Sequence, residues 1–420
     1  LSFVPGEFGR PVYIMFSSGT TGLPKCMVHG AGGTLLNLKK ELILHCDVDA
    51  GSRLLFYTTT GWMMWNWQAA TLSVPGATLV TYDGSPAWPR TDALWRLAAA
   101  QRLTHLGLSP KYIAACMAAG VSPRREGLDL SPLRTVLSTG SPLLPEHFAW
   151  VYSEVKEKKG DASGGGAGGG GKGGDLHLAS ISGGTDILGC FMLGNPNVTV
   201  RAGEIQCLGL GMDVVAYDEK ERRAVTGRKA ELVCRSPFPS MPVAFWNDPD
   251  GEKYRNAYFM WWHGDYIEFV EGSGVVVHGR SDSTLNPGGV RIGTAEIYRQ
   301  LHGFPEVADA VAVGRRRPDG DVEVALFLKM APGAAPLVEG LVGRVKAAIR
   351  ANLTARRVGR PQNAHVPKHV MEVTDIPYTR SGKKIEVAVT KALHGEAIDN
   401  TSAMANPACL SEFMALGKKL

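Results

Sequence analysis

Between Pro11 and about Ile187 the chain alternates short extended runs with amphipathic helical ones. Tyr13-Ile14-Met15-Phe16 is an unbroken apolar run of strand length and predicts a buried strand. Further extended runs fall at 53–57, 77–82, 104–108 and 134–138. Helical spacing puts Leu35, Leu38 and Leu42 on one face, and helical runs recur at 91–102, 111–119 and 146–156. Strands separated by helices in this way predict an α/β fold built on a largely parallel sheet covered by helices.

From about Val198 to Val277 the pattern changes to short strands and turns. Candidates lie at 204–207, 214–217 and 231–234, with Pro237, Pro239 and Pro242 interrupting them, which predicts a small β-barrel-like subdomain. After Arg280, helical runs (294–301, 338–352) and extended ones (307–313, 322–330) predict a smaller α+β domain. The expected organisation is an α/β core over 1–197, a β-rich subdomain of the same large domain over 198–281, and a small mobile C-terminal domain over 282–420. Inside the core, residues 161–174 carry Gly164-Gly165-Gly166-Ala167-Gly168-Gly169-Gly170-Gly171. So much glycine cannot support a packed fold, and the stretch reads as a mobile insertion whose removal leaves the chemistry intact.

Composition narrows the picture only a little. The length of 420 residues suits about three domains, and 44% hydrophobic with 20% charged residues is ordinary for a globular protein. A formal charge of +5 does not by itself imply a nucleic acid or a membrane as partner. The densest basic run, Arg315-Arg316-Arg317, stands before Pro318-Asp319-Gly320 and reads as a solvated hairpin turn. Seven cysteines without a C-x-x-C pair indicate reduced thiols in the cytoplasm, and no apolar run is long enough to span a bilayer.

The candidate chemistry starts at Ser17-Ser18-Gly19-Thr20-Thr21-Gly22-Leu23-Pro24-Lys25. Glycines admit close approach of the backbone to a ligand, hydroxyls and amides converge as donors, and Lys25 adds positive charge. The combination suits a polyphosphate. A Walker-type loop needs G-x-x-x-x-G-K-[ST] opening into a helix. Here a proline precedes the lysine, and Cys26-Met27-Val28 is extended, so the loop is expected to join two strands.

This string, followed by His29, Gly30, Gly32 and Gly33, resembles the signature of the adenylate-forming acyl-CoA synthetases. The resemblance implies that Ser17, Ser18, Gly19, Thr20, Thr21, Gly22 and Lys25 hold the β- and γ-phosphates of ATP while an acyl-adenylate forms. Members of that superfamily carry a substantial stretch before this loop. The present chain opens Leu1-Ser2-Phe3 and reads as a fragment lacking it.

Further stretches match the superfamily in its order. Ser180-Ile181-Ser182-Gly183-Gly184-Thr185-Asp186 resembles the element whose threonine faces the phosphates and whose acid holds magnesium. One carboxylate is enough for Mg2+, which completes its shell with phosphate oxygens. Trp261-Trp262-His263-Gly264-Asp265 and Gly279-Arg280-Ser281-Asp282 resemble elements that imply Asp265 and Arg280 on the ribose, with Asp282 as hinge. A carboxylate can accept both ribose hydroxyls. Asn286-Pro287-Gly288-Gly289-Val290-Arg291-Ile292-Gly293 resembles the loop whose arginine meets the adenylate phosphate, and its glycines border the coenzyme A channel. Pro377-Tyr378-Thr379-Arg380-Ser381-Gly382-Lys383-Lys384 resembles the ending whose lysine bridges carboxylate and α-phosphate oxygens, a role for Lys383 with Lys384 as the fallback. Gly140, Ser141 and Gly184 join the implied nucleotide-binding set. Taken singly, each element is equally a turn, a cap or a solvated charge; their shared order separates them from that.

The resemblance implies a ligase that uses ATP, Mg2+ and coenzyme A. A carboxylate attacks the α-phosphorus, so the protein has to screen charge and align reactants rather than supply a nucleophile. Lys383, Lys25 and Thr185 are the implied catalytic residues. Gly61-Trp62-Met63-Met64-Trp65-Asn66-Trp67 reads both as core and as a wall of the acyl pocket, with Trp62 and Gly183 lining it. Acetate-activating members carry bulky tryptophans where Ser182, Gly183 and Gly184 stand, so a longer acid is expected. The pattern is most similar to the members that activate acetoacetate. Two alternatives stay open: another short-chain acyl-CoA synthetase, and a truncated chain that binds nucleotide without catalysis.

Overall fold

The computed structural model describes residues 5–17, 25–156, 176–218, 221–258, 264–272, 274–280, 294–317, 322–354, 366–380, 384–398 and 401–420. Contacts divide them into two compact units, one drawn from residues up to 277 apart from 264–266, the other from those three and everything described from 278 onward. The fold is α/β with several sheets.

The first unit opens with β1 (Pro11–Ser17) and β2 (Lys25–Gly30), which pair antiparallel with Ser17 opposite Lys25. Residues 18–24 therefore connect two antiparallel strands, as the absence of a helix signal predicts; they lie outside the described residues. β1 is not the buried strand expected from its apolar run. Met15 is buried, but Val12, Ile14 and Phe16 are 45%, 40% and 63% exposed. Side chains of a strand alternate between its two faces, and the face that carries Val12, Ile14 and Phe16 is the exposed one.

α1 (Ala31–Lys40) follows and runs into a π-helical turn, Glu41–His45. Its buried face is Thr34, Asn37, Leu38, Glu41 and Leu42, an i, i+3, i+4, i+7, i+8 stripe. Leu38 and Leu42 are inside as expected, whereas Leu35 is exposed. Three polar side chains share the inner face, so apolar positions alone misplace the stripe.

The central sheet is parallel. Its strands are β3 (Arg53–Phe56), β4 (Thr78–Leu79), β5 (His105–Leu108), β6 (Thr135–Ser138) and β7 (His177–Ser180), in the order β4-β3-β5-β6-β7. Connectors include α2 (Met63–Ala69), α3 (Ala93–Ala100), α4 (Pro110–Ala118) and α5 (Pro145–Trp150), the last continuing as a π-helical turn, Val151–Val155. β4 is shorter than the expected 77–82 because this outermost strand meets the four-residue β3 over two residues only. The sheet is buried on both faces: Leu54, Phe56, Leu137 and Ala179 pack into one core, and Leu55, Leu106, Leu108, Val136 and Leu178 into another.

β8 (Ser182–Gly184), β9 (Gly189–Leu193) and β10 (Cys207–Leu208) form an antiparallel sheet in the order β10-β9-β8. The strand expected at 204–207 begins late, since the chain turns at Gly203 (φ +84°) and Ile205 makes a single bridge to Val275. β11 (Val214–Asp218), β12 (Arg223–Val225), β13 (Ala230–Cys234), β15 (Asp265–Phe269) and β16 (Val275–Arg280) make a five-stranded sheet in the order β12-β11-β13-β15-β16. Between them, β14 (Ala244–Phe245) adds to β2, and α6 (Glu252–Tyr258) follows.

In the second unit, α7 (Thr294–Arg299) precedes a long antiparallel pair, β17 (Val307–Arg316) and β18 (Val322–Met330). α8 (Glu339–Thr354), β19 (His369–Glu372), parallel to β18, and helices α9 (Glu386–Leu393) and α10 (Leu410–Gly417) complete it. Val311, Val313, Ala325 and Phe327 face one core, and Ala310, Ala312, Val324, Leu326 and Leu328 the other. Arg315 pairs with Glu323 across the hairpin and Arg316 with Glu396. The glycine-rich stretch 161–174 lies outside the described residues, among which no helix is long and apolar enough to cross a membrane.

Candidate active site

In open parallel sheets ligands bind beyond the carboxyl ends of the strands. Here β3 leads there to Trp62 at the start of α2, β6 to Gly140 and Ser141, and β7 to Ser182–Asp186. β6 and β7 are neighbours, with Ser138 opposite Ser180, so their two loops emerge side by side. Gly140 has φ +104°, which favours glycine, and a Cβ there would come 3.6 Å from the Trp62 indole. That indole meets Phe56 edge-on at 6.2 Å. The structure thus brings Trp62, Gly140 and the loop after β6 together.

Gly183 corrects one expectation. Read from sequence, Ser182-Gly183-Gly184 is space vacated by missing indoles. At Gly183 that space is already filled: a Cβ would fall 2.0 Å from Gly189 O and 2.6 Å from Cys190 Cα, both backbone atoms of β9. Glycine stands there because β8 and β9 press together, and it can offer only backbone to a pocket.

Thr185 and Asp186 lie on the turn between β8 and β9, and three elements hold its backbone. Tyr258 Oη, from α6, donates to Asp186 O at 2.5 Å and Ser240 Oγ to Ile187 O. His29, on β2, is fully buried; its Nδ1–H donates to Ser240 O at 3.0 Å, and the Thr185 backbone lies against the ring. Burial pushes the His29 pKa down and the Tyr258 phenol up, so both are neutral near pH 7. β2 thereby reaches this turn through His29 and Ser240. Sequence reasoning quoted His29 without a role and missed Ser240 and Tyr258, which lie 53 and 72 positions from their partners with no local pattern to mark them.

Thr185 and Asp186 offer a hydroxyl and a carboxylate, hard oxygen donors that fit Mg2+, an ion that takes few protein ligands when phosphates supply the rest. No group of three or more His, Cys, Asp or Glu suited to a metal occurs among the described residues. Such a donor set fits an ion carried in with its nucleotide.

Of the other expected site residues, Ser17 ends β1 and Lys25 starts β2, where it is exposed. Val270 N–H donates to Gly274 O at 3.0 Å, closing the hairpin between β15 and β16. Asp265, first in β15, and Arg280, last in β16, therefore stand at its open end. Ser18, Gly19, Thr20, Thr21, Gly22, Asp282, Arg291 and Lys383 lie outside the described residues. Lys384 is described, and it is occupied. Its Nζ donates to Asp309 Oδ1 at 2.9 Å and to Ala310 O, and sits 4.1 Å from the centre of the Tyr298 ring. Tyr378 Oη donates to Asp309 Oδ2 at 2.5 Å, and Tyr378 and Lys384 form an antiparallel bridge.

Residues 5–164 match the family model for AMP-binding enzymes. The acetoacetyl-coenzyme A synthetase of Rhizobium meliloti (strain 1021) is 50% identical over 97% of this chain and 59% of its own length. Acetoacetyl-CoA synthetase of Mus musculus is 44% identical over 98% of this chain and 58% of its own. Among solved structures, the acetoacetyl-CoA synthetase from Streptomyces lividans matches with a TM-score of 0.84 at 42% identity, over 98% of this chain and 60% of that one. An anthranilate CoA ligase solved with anthranoyl-AMP shares the fold, with a TM-score of 0.72 at 19% identity over 93% of this chain and 69% of that one. The chain spans about three-fifths of the length of the acetoacetyl-CoA synthetases it matches.

Proposed function

We propose that this chain is an AMP-binding enzyme of the kind it matches and forms part of an ATP-dependent acetoacetate–CoA ligase. The observation that carries the reading is the pair of loops beyond β6 and β7, one against Trp62 and the other bearing Thr185 and Asp186, in a chain half identical to an acetoacetyl-CoA synthetase.

In the proposed reaction an acetoacetate carboxylate oxygen attacks the α-phosphorus of ATP. The bond from that phosphorus to the bridging oxygen breaks, pyrophosphate leaves, and acetoacetyl-AMP remains. The coenzyme A thiolate then attacks the acyl carbon and AMP departs. Lys25 and the hydroxyls and amides of 17–22 bind the outer phosphates, while Gly140, Ser141, Gly184 and Thr185 border the nucleotide. Asp265 and Arg280, at one end of their hairpin, hold the ribose hydroxyls. Asp186 would hold Mg2+, which supplies charge neutralisation on the phosphates when bound. Trp62 and the backbone at Gly183 wall the acid. Arg291 and Lys383 screen the α-phosphate, and the commitment of Lys384 to Asp309 supports Lys383 as the acting lysine. Each well-aimed charge contributes roughly a hundredfold. Residues 1–197 and 198–281 act as the large domain, and 282–420 turns about Asp282 to withdraw Lys383 before thioester formation. A cytoplasmic site of action is part of the proposal.

Pyrophosphate exchange by the full-length enzyme tests it: incorporation of labelled pyrophosphate into ATP should require acetoacetate and be weaker with acetate, propionate or butyrate. Equal exchange with all four acids refutes the acetoacetate assignment, and none with any acid refutes the ligase. The exposed row Val12, Ile14 and Phe16 favours a second reading, in which this chain alone binds nucleotide without turnover. Running the same assay on the 420-residue chain separates the two.

A further inference from the structure

One buried acid has no part in the scheme above. Glu41 opens the π-helical turn after α1 and has no exposed surface. Its Oε1 accepts from Asn37 Nδ2 at 3.1 Å and from the Cys190 backbone N–H at 2.9 Å, and its Oε2 accepts from Trp67 Nε1 at 2.8 Å. Lys40 Nζ, 3.8 Å from the carboxylate, donates to Asn37 Oδ1 at 2.7 Å and to Leu210 O at 2.8 Å, which fixes the Asn37 amide with its NH2 toward Glu41. Donors from α1, α2 and β9 thus converge on a single carboxylate.

Two of these elements reach the candidate acid pocket. Trp67 belongs to α2, which starts at Trp62, and its indole meets Phe56 edge-on at 6.2 Å. Cys190 stands opposite Gly183 in the β8–β9 ladder, and Gly189 opposite Gly184. Gly189 lies so close over the acid that a Cβ there would come 2.7 Å from Glu41 Oε1 and 2.3 Å from Asn37 Nδ2. Only a carboxylate offers two acceptor-only oxygens to three N–H donors. A glutamine would turn its NH2 toward one of them, and an apolar residue would leave all three unsatisfied in the interior.

We propose that Glu41 is a positioning residue for the acid-binding wall: by tying α2 to β9 it sets the gap between Trp62 and the β8 backbone, and with it the length of acid accepted. The inference rests on the ligase reading above. A buried polar group with every oxygen satisfied holds its neighbours in one arrangement, whereas apolar packing tolerates sliding.

The test uses the full-length enzyme with Glu41→Gln and Trp67→Phe, the second removing only the indole N–H bond while keeping an aromatic ring. Pyrophosphate exchange is followed against acetoacetate, butyrate and ATP. Glu41→Gln should raise KM for acetoacetate by about fivefold or more, leave KM for ATP within about twofold, and shift the acetoacetate-to-butyrate ratio of kcat/KM by about fivefold. Trp67→Phe should move the same ratio in the same direction by less, and it serves as the readout should Glu41→Gln fail to fold. A purely structural role would lower kcat for every acid together, with both KM values and the ratio unchanged. That result in the variants that fold overturns the proposal and leaves the ligase reading standing; wild-type enzyme without acetoacetate-dependent exchange overturns both.

Discussion

Lys383 and Lys384 are adjacent and chemically identical, and the structure gives the second a defined set of partners. Lys384→Met keeps most of the stem but removes the ammonium. That deletes the bond to Asp309 Oδ1 at 2.9 Å, the bond to Ala310 O and the contact with the Tyr298 ring at 4.1 Å. Asp309 keeps two donors, the Tyr378 hydroxyl at 2.5 Å and the Ala310 N–H at 2.8 Å, so its charge is not stranded. The pair is 17% and 25% exposed, between a surface bridge worth at most about 1 kcal/mol and a buried one worth about 3–5 kcal/mol to break. Adding a partly screened cation–π contact of about 1 kcal/mol gives a loss of about 2–3 kcal/mol. At about 3–5 °C per kcal/mol for a unit of this size, the melting point of the second unit should fall by about 6–15 °C. Calorimetry is the suitable assay, because no tryptophan lies beyond Trp262 to report on that unit. Lys383→Met should leave the transition within about 1 °C and abolish pyrophosphate exchange, while a preformed acyl-adenylate is still passed to coenzyme A. An unshifted melting point for Lys384→Met together with lost exchange would refute the reasoning, for it would make Lys384 the chemical lysine.

Three more outcomes are expected. Gly183→Ala forces a Cβ onto the β9 backbone at 2.0 Å and should cost about 2–4 kcal/mol in thermal unfolding; a wild-type melting point would mean that β8 and β9 do not pair as described. Burial lowers the His105 pKa from 6.5 to about 4, so between those values the unfolded chain binds the proton that the folded chain refuses. Stability should therefore rise with pH across that window, by about 3 kcal/mol for this residue, with His29, His45 and His177 adding in the same direction; denaturant titrations from pH 4 to 7 that show a flat profile would contradict it. Asp186→Asn should raise the Mg2+ concentration for half-maximal exchange by about tenfold or more, while an unchanged requirement would remove Asp186 from the metal.

How much of this was legible in the sequence depended on how far apart the partners sit. The parallel sheet was, because each strand is a local apolar run set off by a helix, as at 104–108 and 134–138. β17 and β18 were legible for the same reason. The burial of β1 was not: its composition is that of an interior strand, and which of its two faces is covered depends on packing that no local pattern announces, so Ile14 and Phe16 lie exposed. α1 misled in the opposite sense, since Asn37 and Glu41 are polar by type and interior by virtue of Trp67 and Cys190, which no local spacing announces. Gly183 could be seen as a small residue; its reason could not, because the obstruction is the carbonyl of Gly189 across a ladder. Lys384 likewise needed Asp309, 75 positions away, to distinguish it from its neighbour.

The antiparallel join of β1 to β2 has a consequence for salt and charge. A phosphate seated at the first turn of a helix receives roughly half a unit of positive potential from aligned peptides, and that contribution survives side-chain mutation. The join of β1 to β2 does not open into a helix, so in the proposed ligase more of the neutralisation falls to cations that can be lost, of which Lys25 at the mouth of β2 is the nearest in sequence. Nucleotide affinity in the proposed ligase should consequently decline more steeply with ionic strength than in proteins that cradle phosphates on a helix start, and replacing Lys25 with Met should remove much of that steepness.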